Sequence, residues 1–103
     1  MKHNFKLEFN PQIYTDIQSH VDFYYKKTKS HKLGKRYTKT VETEIKSLKT
    51  DALLYEIKYD DIRCLPIPNF PVRAHYRIDK KNNIVKIEAI IGTAQGPDKW
   101  IKS

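Results

Sequence analysis

The chain has 103 residues, enough for one modest hydrophobic core and too few for two, so a single domain over 1-103 is expected. Twenty Lys and Arg against twelve Asp and Glu give a formal net charge of +8, a field that attracts polyanions such as nucleic acid or an acidic protein, although lysine excess also serves solubility alone. The single cysteine, Cys64, excludes an internal disulfide. MKHNFKLEF lacks the apolar core of a signal peptide, and no apolar run approaches the about 18 residues that span a bilayer, so a cytoplasmic protein with no membrane partner is expected.

In chain order, FKLEF alternates Phe5, Leu7 and Phe9 with Lys6 and Glu8, the period of a strand with one buried face. Asn10 before Pro11 predicts a helix start, and Ile13, Ile17, Val21 and Tyr24 recur at helical spacing to about residue 28. KTKSHKLGK interrupts the pattern before Tyr37, Val41, Ile45 and Leu48 signal a second helix, which so short a connection folds back as a hairpin. From YEIKYDDIRCLPI onward the period changes again, with Asp60-Asp61 as a turn or strand-flanking pair and prolines 66, 68 and 71 breaking the strand that follows. Residues 72 to 79 alternate, DKKNN is a turn, and 84 to 91 form the last strand, with Val85, Ile87, Ala89 and Ile91 assigned to the core. The order β-α-α-β-β-β predicts an α+β fold in which a helical hairpin covers one face of a mainly antiparallel four-stranded sheet.

That architecture leaves the other sheet face open, and alternation with Val72, Ala74 and Tyr76 puts Arg73, His75 and Arg77 on it. Guanidinium groups hold phosphate and an imidazole can move a proton near neutral pH, although exposed strand positions are often charged and Glu88 or Asp79 could pair with these arginines. Arg63, on the preceding strand, is a candidate to extend the patch, and Lys58 is a weaker one. Trp100 in GPDKW is a candidate to stack on a base or to pin the tail. His3, His20, His31 and His75 have no metal-ligand spacing, and no glycine-rich phosphate loop occurs, so neither metal nor cofactor is expected.

The stretch LGKRYTKTVETEIKSLKTDALLYEIKYDDIRCLPIPNFPVRAHYRID resembles the second helix and first hairpin of plasmid-stabilisation-type members of the RelE/ParE superfamily of type II toxin–antitoxin toxins. IIGTAQGPDKW resembles their last strand and tail, commonly written HTSRDPxxW. The resemblance implies a growth-arresting toxin neutralised by an antitoxin that wraps its sheet and helices. RelE-like members cut mRNA on the ribosome without a metal; ParE-like members inhibit DNA gyrase. By position, Arg73 matches the strand arginine of the ribonuclease branch, Arg63 a basic residue on the preceding strand, and Trp100 the tail aromatic. Gly92 and Gln95 stand where many relatives have His and Arg, the last-strand arginine falls near Ala94, and Trp100 has no phenolic hydroxyl.

The resulting expectation is ribosome-dependent mRNA cleavage by a metal-independent endoribonuclease. His75 would act as base or acid, Arg73 and Arg77 would stabilise charge, with Arg63 in support, and Lys58 and Trp100 would help hold RNA. Non-enzymatic gyrase inhibition, or a decayed toxin that only binds its antitoxin, are the alternatives.

Overall fold

The computed structural model describes residues 4–93. The elements are β1 (Lys6–Phe9), α1 (Gln12–Thr28), α2 (Lys32–Asp51), a single 3-10 turn at Ala52–Leu54, β2 (Ile57–Tyr59), β3 (Ile62–Pro66), β4 (Val72–Asp79) and β5 (Ile84–Gly92). The sheet has five strands in the order β1-β5-β4-β3-β2. β1 runs parallel to β5 and all other neighbours are antiparallel. The α+β order is the expected one, and the fifth strand arises because Asp60-Asp61 is a turn that divides one predicted strand into β2 and β3. Asp60 takes the left-handed conformation there, φ 50°, which Asp tolerates better than most residues.

Both helices follow their sequence period. Asn10 Oδ1 accepts the Gln12 N–H at 2.9 Å, satisfying one of the orphan donors of the first turn, while Pro11 supplies a helical φ of −54°. Ile13 is buried, with Ile17, Val21 and Tyr24 packed behind it, and Tyr37, Val41, Ile45 and Leu48 of α2 are all buried. Lys29, at φ 57°, ends α1, and after two intervening residues α2 begins at Lys32. The helices approach closely there because Gly34 has no side chain: a Cβ would stand 3.1 Å from Cγ1 of Val21.

Leu65, Val72, Ala74, Tyr76, Val85, Ile87 and Ile90 form the sheet side of the core. Tyr76 donates its buried hydroxyl to Ala52 O at 2.6 Å, tying mid-sheet to the end of α2. One assignment in β5 is corrected: Ile90 enters the core, whereas Ala89 and Ile91 lie half-buried on the other face. The cause is a β-bulge. His75 pairs with Ala89 and Tyr76 with Ile87, so Glu88 is an extra residue and the alternation beyond it reverses phase. Helix α1 secures the irregularity, since Asp16 Oδ2 accepts the Ile90 N–H at 2.9 Å and Asn10 Nδ2 donates to Glu88 Oε1 at 3.1 Å.

Candidate functional site

Directly opposed residues of an antiparallel ladder share a face. Cys64 opposes His75 and Pro66 opposes Arg73, so these four stand on the face away from the helices, as the alternation of β4 predicts for Arg73, His75 and Arg77. Arg63 opposes Tyr76 and is therefore on the helix side. There its Nη1 donates to Tyr55 O at 2.5 Å. The expectation that Arg63 extends the Arg73 patch is thus corrected; β3 leaves its turn in the phase that sends Cys64, not Arg63, outward.

The remaining stripe is not a solvated row of cations. His75 is only 1% exposed. Its Nδ1 lies 2.9 Å from the Tyr59 hydroxyl, and Cys64 Sγ sits 3.7 and 3.8 Å from the two ring nitrogens, a packing contact with no preferred nitrogen. Burial, reinforced by the Arg73 charge, pushes the imidazole down to about 4, so the ring is neutral near neutral pH. Arg77 is occupied: Nη1 donates to Asp61 Oδ1 at 3.0 Å, and Nε lies 2.8 Å from Glu88 Oε2. That second contact is an ion pair by distance without hydrogen-bond alignment. Glu88 is in position for it because the bulge holds it between the two faces.

Arg73 forms no ion pair among the described residues and borders a recess of about 240 Å³ with Lys58, Cys64, Pro66 and the 54–56 segment. Lys58 donates to Glu56 Oε1 at 2.7 Å at its rim. Two cations facing one concavity can hold an anion such as phosphate. The thiol beside them is pushed up by burial, an effect that Arg73 and Lys58 oppose. Among the described residues no group of three His, Cys, Asp or Glu is placed to share a metal ion. Trp100 lies outside the described residues.

A second feature escaped the sequence reading. An apolar cleft of about 410 Å³ runs between the helices, lined chiefly by Phe9, Ile13, Tyr14, Ile17, Val41 and Ile45. Its signal was Tyr14, which flanks the Ile13 and Ile17 stripe and remains 63% exposed.

A family model described as the ParE toxin of the type II toxin–antitoxin system parDE matches residues 7–97. The chain belongs to the ParE toxin family. It is therefore a toxin of the type II toxin–antitoxin class, and an antitoxin is its implied partner. Its structure is similar to a chain of the chromosomal ParDE TA system from P. aeruginosa, with a TM-score of 0.73 over 87% of this chain and 97% of that one. At 15% identity that likeness speaks for the ParE fold and not for individual residues. No curated protein matches the chain. In the ParE-family chain the family match ends at residue 97, short of Trp100. No described helix is long and apolar enough to cross a membrane.

Proposed function

We propose that this ParE-family toxin arrests growth by holding its target, DNA gyrase, and not by cutting RNA. The burial of His75 carries the reading. Cleavage through the RNA 2′-hydroxyl needs a base and an acid within reach of the substrate, and the imidazole on the open sheet face is enclosed and neutral, its Nδ1 already facing Tyr59. Arg63 on the opposite face and the ion-paired Arg77 further separate the cations that a ribonuclease site would need together. Membership of the ParE family supports gyrase as the target class. Ribosome-dependent mRNA cleavage is the second reading, favoured by one observation: Arg73 and Lys58 border the same recess, which could hold a phosphate.

The cognate antitoxin would neutralise the toxin by laying an apolar helix face in the cleft between α1 and α2. The deciding experiment is induction in a bacterial host without the antitoxin, reading plasmid topology and mapped transcript ends from the same cells. Lost supercoiling with intact transcripts is expected. Transcripts cut at codon boundaries with normal supercoiling would transfer the protein to the second reading, and normal growth at confirmed expression would remove both.

A further inference from the structure

Between Asp22 and Glu42 the chain has no acidic residue and seven Lys or Arg. The rest of the chain carries thirteen Lys and Arg against twelve Asp and Glu, so nearly all of the net charge of +8 is concentrated on the closed end of the helical hairpin. Lys26, Lys27 and Lys29 close α1, and Lys32, Lys35, Arg36 and Lys39 open α2. All seven are exposed, and among the described residues none forms an ion pair.

Folding does not account for the second group. The first turn of α2 holds no acidic residue, and its positive dipole end disfavours the cations placed there. Lys32 and Arg36, like Lys35 and Lys39, are like charges one turn apart, which works against the helix. Their spacing of i, i+3, i+4 and i+7 nevertheless sets all four in one stripe, roughly 10 Å long at about 1.5 Å per residue. Lys35, Lys39 and His31 edge a shallow groove with Val21, Gly34 and Thr38, and Glu42 lines it as well. Aromatic rings border the same end. Tyr25, 39% exposed, packs against His31 with centroids 4.5 Å apart, and Phe23, 54% exposed, has Lys27 Nζ 5.6 Å from its ring centre.

We propose that the closed end of the helical hairpin binds single-stranded nucleic acid, with the α2 stripe tracking phosphates and Tyr25 and Phe23 receiving unpaired bases. A single strand uses cations and exposed rings together, phosphates on the one and bases on the other, whereas a duplex keeps its bases stacked out of their reach. Competition by an acidic polymer separates a single strand from an acidic protein. The surface shares no residue with the Arg73 recess, so it stands whether the toxin acts on gyrase or on mRNA.

The test is anisotropy of labelled, mixed-sequence 20-nucleotide RNA and DNA single strands titrated with the full chain over a series of KCl concentrations. Changing Lys32, Lys35, Arg36 and Lys39 together to Gln should weaken binding at least tenfold and flatten the salt slope by about 3, at about 0.7 per neutralised phosphate on a single strand. Tyr25→Ala with Phe23→Ala should weaken binding and leave that slope unchanged. A control with Lys80, Lys81 and Lys86 changed to Gln should bind like the parent, and far-UV melting of every variant reports folding. Three outcomes would overturn the proposal: full affinity in the folded quadruple variant, equal loss in the control, or competition by duplex DNA or poly-glutamate as strong as that by unlabelled single strand.

Discussion

The Tyr59 hydroxyl and Nδ1 of His75 lie 2.9 Å apart, joining the edge strand β2 to the middle of the sheet through a buried imidazole. The ring is held neutral by its surroundings, and its protonation opposes folding. The folded-state value of about 4 lies below the ordinary 6.5, so the unfolded chain binds the proton more readily between those limits. Stability is full above about pH 6.5 and falls as pH drops toward 4, by up to about 1.4 kcal/mol per pH unit from this group. His20, lowered by its own burial, acts in the same direction. Thermal melting from pH 7 to 4 should show the decline, and His75→Gln should flatten it; an equally steep decline in that variant would clear His75 of the effect.

Asp16 provides a sharper test of the bulge. It accepts the N–H of Ile90 at the point where β5 changes phase, and removal leaves a partly buried donor without that partner. Asp16→Ala should cost about 1–3 kcal/mol. Asp16→Asn, which keeps an acceptor oxygen, should cost less, as denaturant titration of both variants would reveal.

Arg73 and Arg77 are tested by different measurements. Arg73→Ala touches a half-exposed side chain and should alter stability by no more than about 0.5 kcal/mol. Growth arrest should persist if the toxin holds gyrase, whereas weakened arrest would favour the second reading, in which the recess bordered by Arg73 and Lys58 holds a phosphate. For Arg77, a double-mutant cycle with Glu88 should give a coupling of about 0.2–1 kcal/mol, the range of solvent-accessible pairs, because the Arg77 side chain is 43% exposed. Undiminished growth arrest by well-folded Arg73→Ala would take the recess out of the toxin's action.

The cleft between the helices should govern neutralisation. Tyr14→Arg places a charge on its rim without entering the core, so melting should hold while co-purification with the cognate antitoxin is lost. Retained co-purification would locate the antitoxin elsewhere.

How far the sequence exposed all this depends on the element. Helical periodicity gave Tyr37, Val41, Ile45 and Leu48 as the buried face of α2, and Asn10-Pro11 gave the start of α1, because both signals are local. The core face of β5 failed at a single residue: Ala89 and Ile91 are as apolar as Ile90, so nothing in the alternation discloses that Glu88 is inserted. The face of Arg63 failed for a related reason. Alternation within β4 fixes Arg73 against Val72 and Ala74, but the phase of β3 is set by its turns and its pairing with β4. Burial of His75 depends on Tyr59 and Cys64, residues eleven or more positions away in the chain.

The parallel pairing of Leu7 with Val85 has a consequence for synthesis. β5, the final described strand, lies between β1 and β4, so a nascent chain that stops before residue 84 holds β1 with no neighbour and lacks Val85, Ile87 and Ile90 from its core. Contacts so distant in sequence carry a large loop-closure cost and slow folding. The five-stranded sheet therefore closes only once β5 has been translated, and a fragment that stops short of β5 lacks the strand that joins β1 to β4.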